Sequence, residues 1–309
     1  MPLHYRDRAG RLRRTFSRYG YYYLMLVPAM LGLIVFDYIP IYGVLIAFKD
    51  FRFIDGVLGS PWVGFKHFAG LFESVFFWRV LKNTLVISAL KLVIGFPAPI
   101  VLAILFNELA RPLLKKVVQT ISYLPHFMSW VILAGIVNEI LSPQRGALNY
   151  ILSLLGIRPI YFLAEPGYFV GVLIGSHVWQ TVGWGSIIYL AAISAINQDQ
   201  FESARIDGAS RFQQIRHITL PSLVPVVTIV FILQLGQIMN AGFDQIFNLY
   251  NPIVYGVADI IDTYVYRMGL EKANYSFSTA VGLFKNAIGL VLVLGTNYLV
   301  KRFNEYGIW

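Results

Sequence analysis

One stretch of the chain, ESARIDGASRFQQIRHITLP from residue 202 to residue 221, concentrates side chains that are scarce elsewhere. It combines charged, amide and imidazole groups, whereas 57% of the 309 residues are hydrophobic and only 13% are charged. The groups are not spaced as a nucleophile with its base or as a metal cluster. The stretch therefore indicates a binding surface, either for lipid headgroups or for a groove on another protein.

Two short helices are predicted within the segment 197–219, which we call the charged loop. Asp199 is a suitable N-cap for a helix over about 200–207, because Glu202 three residues later completes a capping-box pattern. Gly208 suits the left-handed position that follows a helix, and Ser210 suits the N-cap of the next helix. The loop is thus expected to form a rigid element with satisfied helix ends.

A second polar pattern lies in the apolar segments on either side of the charged loop. Polar residues recur every three or four positions after it, at Gln234, Gln237, Asn240, Asp244 and Asn248, and before it His177, Gln180 and Trp184 are similarly spaced. Polar side chains within hydrocarbon face a cavity or partner helices. The residues after the loop are predicted to form one helical stripe, to which those before the loop add. This stripe either lines a path for hydroxyl-rich solutes or holds helices together by hydrogen bonds.

These elements require an all-α membrane protein to position them. Mean hydropathy is +0.63, and six apolar runs are long enough to cross a bilayer. They cover about 20–48, 80–108, 114–140, 166–196, 220–245 and 280–300, and several contain proline, which predicts kinked spans. We expect a basic cytoplasmic segment over 1–19, followed by a single transmembrane domain over 20–309.

Charge distribution predicts the orientation of the spans. The two tails and the loops after the second and fourth spans hold fourteen of the 25 Lys and Arg but only six of the 16 Asp and Glu. The positive-inside tendency therefore places these segments, both termini included, in the cytoplasm. Because the basic excess lies next to spans, anionic lipid explains it, and a nucleic-acid partner is not expected.

The sequence offers no catalytic or metal-binding constellation. It has no cysteine, and His4, His67, His126, His177 and His217 are scattered. The nearest approach to a P-loop, over 59–66, has Phe65 where the motif needs lysine. We therefore expect no catalytic residue, no metal and no cofactor in this chain. Two intramembrane lysines stand out: Lys91, which lies in a wet cavity or pairs with an acid, and Lys285, which snorkels or meets an acidic sugar.

Seven positions of the charged loop and the two residues after it resemble the EAA loop of ABC-importer permeases. That pattern is Glu-Ala-Ala, three residues, Gly, nine residues, and Ile-x-Leu-Pro. The matching positions are Glu202, Ser203, Ala204, Gly208, Ile218, Leu220 and Pro221, and only Ser203 departs from the pattern. The segments YIPIYGVLIAFKDF, SPWVGFKHF and EYGIW resemble the oligosaccharide and polysaccharide branch, which includes MalF-like and LplB-like subunits.

The resemblance implies a type I importer permease fold of six helices in the bacterial cytoplasmic (inner) membrane. It implies a cytoplasmic coupling helix between the fourth and fifth spans that seats on an ATP-binding subunit. The expected partners are a second permease, two ATP-binding subunits that hold ATP and magnesium, an extracytoplasmic solute-binding protein and a sugar. Membrane lipid is the remaining partner.

Three alternatives stay open from the sequence. A secondary transporter or channel would have no reason to carry the spaced array of the charged loop. A permease of the same family could carry a solute other than a sugar. The chain could also be a membrane enzyme, which would require a catalytic group such as paired carboxylates. Asp259 and Asp262 are the nearest candidates for such a pair.

Overall fold

The computed structural model describes the backbone of residues 6–303 and the side chains of residues 18–298. The side chains of most of the predicted basic segment 1–19, and the C-terminal EYGIW motif, lie outside the described residues. Within the described part the chain is helical, and its extended pairing is limited to one bridge between Lys49 and Trp62.

The long helices account for most of the chain. Those of eight or more residues are Arg6–Leu33, Lys66–Glu73, Val75–Gly95, Pro97–Glu108, Pro112–Tyr123, Trp130–Leu141, Ala147–Leu154, Pro166–Ser194, Gln198–Ile206, Leu220–Gly236 and Tyr275–Phe303. Shorter α-helical segments are Ile39–Ile41, Gly56–Gly59, Arg211–Gln214, Phe243–Leu249, Tyr255–Ala258 and Ile261–Tyr266. Tight 3₁₀ turns cover Tyr42–Phe48, Leu124–Phe127 and Pro252–Val254, and wide π turns cover Ile34–Tyr38, Ile215–Thr219 and Arg267–Glu271.

Six membrane spans are compatible with these helices. Arg18–Phe48, Val75–Glu108, Arg211–Gly236 and Tyr275–Tyr298 are each long and apolar enough to cross a bilayer. Two bent pairs raise the number to six if each is one span: Pro112–Phe127 with Trp130–Leu141, bent by 110°, and Pro166–Ser194 with Gln198–Ile206, bent by 70°. The third run, predicted as one segment over 114–140, is therefore sharply broken where the turn at Pro125 ends its first helix.

Prolines explain two irregular turns within the spans. The π turn Ile34–Tyr38 ends two residues before Pro40, and the π turn Ile215–Thr219 ends two residues before Pro221. A proline ring collides with the carbonyl four residues earlier and removes one hydrogen-bond donor, so the preceding turn widens. Pro28 and Pro225, by contrast, lie inside α-helices, so kinks at these two prolines stay a prediction.

The fifth span is shorter than its predicted range of 220–245. Its helix ends at Gly236, and a non-helical turn leads to Gly242, whose φ of 93° only glycine adopts without strain. A new helix, Phe243–Leu249, begins after this turn. The predicted polar stripe is therefore divided between two helices and the turn that joins them, instead of following one helix.

The fourth span, Pro166–Ser194, connects two of the three apolar cores. In one core Phe169 and Leu173 pack with Ile87 of the second span and Ala134 of the third. In another, Tyr189 packs with Ala103, Ile193 and Leu223, and so joins the second, fourth and fifth spans. The third core lies between the second and sixth spans and the helix Ile261–Tyr266. The cores therefore hold spans two to six around a shared interior.

Two ion pairs stabilise the segment 255–275, which leads into the sixth span. Arg267 binds both oxygens of Asp259, and Thr263 donates to Asp259 Oδ1 at 2.6 Å. Lys285 pairs with Asp262 at 2.5 Å. Because each carboxylate is neutralised by its own cation, the two acids do not form the catalytic pair that the sequence left open.

Two tyrosines, Tyr250 and Tyr255, interact with Arg267 of the Asp259–Arg267 pair. The guanidinium of Arg267 lies 4.7 Å from the ring centroid of Tyr255. Hydrogen bonding to Asp259 raises the pKa of Arg267 above its ordinary value, and burial raises the pKa of Tyr250 to about 12. Arg267 therefore stays charged and Tyr250 stays neutral throughout the physiological pH range.

Removal of the cation from this pair is expected to destabilise the protein. Arg267→Met leaves Asp259, which is 6% exposed, without its counter-ion, and this costs about 3 kcal/mol. Thermal unfolding in detergent measures the loss. Arg145→Met is the control, since Arg145 and Glu139 form an exposed pair whose loss changes little. An unchanged unfolding temperature for Arg267→Met would contradict a stabilising role of the pair.

Candidate functional site

A polar cavity of about 450 Å³ lies among the second to fifth spans and the turn after the fifth. Its size is typical of small-molecule sites. Its lining residues are Ser88, Lys91, Leu92, Gly95, Pro99, His126, Trp130, His177, Gln180, Thr181, Trp184, Gly185, Gln234, Gln237, Ile238, Asn240, Gly242 and Gln245. These side chains offer amides, hydroxyls, imidazoles and indoles, together with one lysine.

Six of the eight residues predicted for a solute path line this cavity. Three come from the fourth span, namely His177, Gln180 and Trp184, and three from the end of the fifth span and its turn, namely Gln234, Gln237 and Asn240. Within the turn, Asn240 Nδ2 donates to Gln237 Oε1 at 2.5 Å. That these residues contact a solute stays a prediction.

Asp244 and Asn248 lie outside the lining of this cavity. Both belong to the helix Phe243–Leu249, where Asn248 Nδ2 donates to the Asp244 carbonyl at 2.7 Å. They are separated from the other predicted residues because the chain changes direction at Gly242. Periodicity alone does not reveal this, since it assumes that the helix continues.

Trp184 has an aromatic partner within the protein. Its ring stacks on His126 with centroids 4.8 Å apart and an angle of 2° between planes, and Phe127 meets it edge-on. One face of the indole is therefore occupied. Trp184 is still 45% exposed, so the remaining surface of the ring is open to a ligand.

The cavity also contains residues that were absent from the predicted path. Lys91, Gln245 and Ser88 line it, and Trp130 contributes from the third span. An intramembrane lysine is itself a signal of function, which is why the sequence drew attention to Lys91. Nothing in the sequence pointed to Gln245, because it reaches the cavity only through the bend at Gly242.

The charged loop forms two capped helices, as predicted, with one change at the start. The first helix, Gln198–Ile206, begins before Asp199, and its N-cap is Asn197, whose side chain accepts from the Asp199 amide at 3.0 Å. Asp199 is therefore a first-turn acid instead of the predicted cap, since the asparagine two residues earlier provides the acceptor. The second helix, Arg211–Gln214, begins after the predicted N-cap Ser210, which forms a capping box with Gln213.

Gly208 ends the first helix of the charged loop in the left-handed conformation, with φ of 79°. The Ala209 amide donates to the Ala204 carbonyl at 2.8 Å, and the Gly208 amide donates to the Arg205 carbonyl at 3.1 Å. These two bonds form a Schellman motif, which satisfies carbonyls that the helix end leaves free. The angle between the two helices of the loop is thereby defined by hydrogen bonds.

The outer surface of the charged loop is open. Glu202, Ser203 and Gly208 are exposed. Two large apolar side chains are exposed with them: Ile206 to 86% and Phe212 to 71%. Toward the bundle, Arg211 approaches Glu108 at 4.0 Å, so the loop rests against the end of the second span. Apolar groups bordered by charge are typical of protein interaction surfaces.

Helical spans around a polar cavity, with a rigid charged loop at one end of the bundle, define a membrane-embedded transport component. Residues 95–305 match the family described as binding-protein-dependent transport system inner membrane component. The chain belongs to this family.

Relatives match almost the whole chain. Protein LplB of Bacillus subtilis (strain 168) is 41% identical over 287 residues, which cover 93% of this chain and 90% of that protein. The polygalacturonan/rhamnogalacturonan transport system permease protein YteP of the same strain is 43% identical over 304 residues, covering 98% of this chain and 95% of that protein.

Solved structures show the same fold. A chain from the crystal structure of a bacterial ABC transporter involved in the import of the acidic polysaccharide alginate is 44% identical. The TM-score is 0.87, and the match covers 94% of this chain and 99% of that one. A second chain, from a bacterial alginate ABC transporter in complex with alginate pentasaccharide-bound periplasmic protein, gives a TM-score of 0.88 at 43% identity, with 96% and 100% coverage.

Proposed function

We propose that this chain is a permease subunit of an ATP-driven importer and forms half of the path for an oligosaccharide or polysaccharide fragment. The observation that carries the proposal is the match, over nearly the full length of both chains, to a transporter crystallised with an oligosaccharide-loaded periplasmic protein. The cavity supports it chemically, because its amides, hydroxyls and indoles suit sugar hydroxyls and pyranose faces.

Energy for this transport comes from separate subunits. The chain has no Gly-x4-Gly-Lys-Ser/Thr sequence, so ATP and magnesium are assigned to two partner subunits. The open surface of the charged loop, with exposed Ile206 and Phe212 beside Glu202, suits a cleft on such a subunit. Gly208 and the two caps make the loop stiff enough to pass a closing motion to the spans.

The proposed orientation follows from charge and from the loop. Because the two tails and the loops after the second and fourth spans together hold fourteen of the 25 Lys and Arg, we assign them to the cytoplasm of a bacterial cell. The segments 49–79, 139–165 and 246–279 then face outward and receive the solute-binding protein. A second, related permease completes the path, since one chain encloses the cavity only partly.

The proposed cycle is alternating access. Loaded binding protein docks outside, and ATP draws the two nucleotide-binding subunits together. The charged loop moves with them and opens the cavity outward, so that the solute enters. Hydrolysis returns the spans to the inward-open state. ATP and binding protein act by differential affinity for the two states.

Reconstitution tests this function. The chain, a second related permease and the ATP-binding subunits are placed in proteoliposomes, with the binding protein and labelled oligosaccharides outside. We expect uptake that requires both internal ATP and binding protein. Uptake that persists without ATP would favour a channel or secondary transporter, and the absence of any oligosaccharide uptake would favour a different solute.

Asn240 provides a test of the path. Asn240→Leu removes an amide from the cavity wall and from its pair with Gln237, and we expect uptake to fall about fivefold. Assembly and thermal unfolding are expected to stay unchanged, because Asn240 is exposed. If the variant instead assembles poorly, the polar residues serve to hold the helices together. Asp244→Leu, outside the cavity, shows whether the path extends along the helix Phe243–Leu249.

A further inference from the structure

Lys91 is a buried cation without a carboxylate partner among the described side chains. It lies on the second span and is 8% exposed. Its Nζ donates to the Ala241 carbonyl at 2.6 Å and to Gln245 Oε1. Every ion pair found among the described residues involves other cations. A buried charge that is solvated only by neutral dipoles is costly, so its retention at this position requires an explanation.

The two acceptors hold the ammonium of Lys91 in place without using all of its hydrogens. Gln245 is itself fixed, since its Nε2 donates to the Leu173 carbonyl at 2.7 Å and to Ser176 Oγ at 2.8 Å. This orients its oxygen toward Lys91. An ammonium has three N–H donors, and two are accounted for. The third remains available at the wall of the cavity that Lys91 lines.

Ser88 lies one turn before Lys91 on the same face of the helix and also lines the cavity. Its Oγ is buried and has no hydrogen-bond partner. Other hydroxyls in the spans donate to the carbonyl four residues earlier, as Thr84 does to Val80 at 2.7 Å and Ser176 to Val172 at 2.6 Å. Buried polar atoms are almost always hydrogen-bonded. The unpaired hydroxyl of Ser88, one turn from Lys91, therefore indicates an acceptor that the described part of the chain does not supply.

The space next to Lys91 is kept open by glycine. A Cβ atom at Gly242 would lie 2.8 Å from Lys91 Nζ. The positive φ of Gly242 also excludes most other residues without strain. The cavity lining contains one lysine but no Asp or Glu, so the charge of its side chains favours an anion.

We propose that Lys91 and Ser88 together bind a carboxylate of the transported molecule, so that the cargo is an acidic, uronic-acid-containing oligosaccharide. The ammonium donates one charge-assisted hydrogen bond and the hydroxyl donates a second, one turn away on the same helix. The amides of the cavity serve the sugar hydroxyls. This inference rests on the proposed function and adds to it the chemical class of the sugar.

Binding to the intact complex tests the inference directly. The probes are trigalacturonate and its carboxyl-reduced counterpart, which has the same skeleton and no charge. Tryptophan fluorescence reports binding to the detergent-solubilised importer without binding protein, because Trp130 and Trp184 line the cavity. In Lys91→Met, Kd for trigalacturonate is expected to rise about 10- to 100-fold, while Kd for the reduced probe stays unchanged. Lys91→Arg is expected to retain part of the affinity.

Ser88→Ala is the matched variant that keeps the fold. The Ser88 hydroxyl has no partner in the protein, so its removal is expected to leave thermal unfolding unchanged. Affinity for trigalacturonate is expected to fall about fivefold. Co-purification of the partner subunits with Lys91→Met serves as its assembly control.

Three results would overturn the inference. One is unchanged trigalacturonate affinity in Lys91→Met. Another is an equal loss of affinity for both probes with a lower unfolding temperature, which assigns Lys91 a structural role. The third is a wild-type complex that imports neutral oligosaccharides, such as maltotriose, and rejects trigalacturonate. In that case the proposed function survives, whereas the lack of ATP-dependent uptake of any sugar would refute the function itself.

Discussion

Gly208→Asp is expected to remove nearly all ATP-driven uptake from the reconstituted importer while the chain still inserts and assembles. Gly208 is exposed and adopts a φ of 79°, and a Cβ atom there would meet no atom within 4 Å. The substitution therefore introduces no clash within this chain. It places a carboxylate on the proposed docking surface and costs about 1 kcal/mol in left-handed strain, which loosens the Schellman motif.

Uncoupling is the specific consequence to measure. With Gly208→Asp, ATP hydrolysis by the partner subunits is expected to continue, whereas the amount of solute taken up per ATP hydrolysed is expected to fall nearly to zero. Glu202→Lys, which reverses an exposed charge on the first helix of the loop, is expected to act in the same direction. Normal uptake in both variants would contradict the role assigned to the charged loop.

Gly156→Asp is a matched control for backbone strain. Gly156 also has a positive φ, of 75°, and open space around its Cβ position, but it lies outside the charged loop. It is expected to change thermal unfolding as much as Gly208→Asp does and to leave ATP coupling intact. If both variants uncouple hydrolysis from uptake, the effect arises from strain and not from the docking surface.

Gly183→Leu is expected to prevent correct packing of the fourth span. Gly183 is buried where this span crosses the helix Pro112–Tyr123, and a Cβ atom would lie 3.0 Å from the Tyr123 nitrogen and closer still to the Ser122 carbonyl. These are backbone atoms, so rotation of a side chain cannot relieve the clash. We expect a loss of at least about 3 kcal/mol, seen as a low yield of folded protein in detergent.

Gly171→Leu is the control on the same helix. A Cβ atom at Gly171 meets nothing within 4 Å, and the position is exposed, so the bulkier side chain is expected to be tolerated. A folded yield for Gly183→Leu equal to that of Gly171→Leu would show that the two helices approach less closely than the structure indicates.

Local sequence determined the charged loop and the approximate spans. The cap at Ser210, the left-handed Gly208 and the apolar runs depend on interactions within a few residues, so their patterns could be predicted. The same local patterns predicted the first N-cap at Asp199, two residues after the observed cap Asn197. Both residue types are good N-caps, and only the path of the backbone selects between them.

Tertiary structure decided what the local patterns left open. The stripe after the charged loop is interrupted at Gly236, and the turn that follows brings Gln245 to Lys91, 154 positions earlier in the chain. In the tertiary structure Asp259 and Asp262 each pair with a different cation, although their spacing in the sequence had suggested a catalytic pair of carboxylates. These contacts join residues far apart in sequence, and periodicity carries no information about them.

The sequence by itself thus determined that the chain is a helical membrane protein with a stiff, charged loop, since apolar length and capping are local properties. The tertiary structure alone decided which polar residues share a cavity and that Lys91 lacks an acidic neighbour within the described side chains. The physical reason is that the cost of a buried charge depends on every group around it, and those groups are assembled only by the fold.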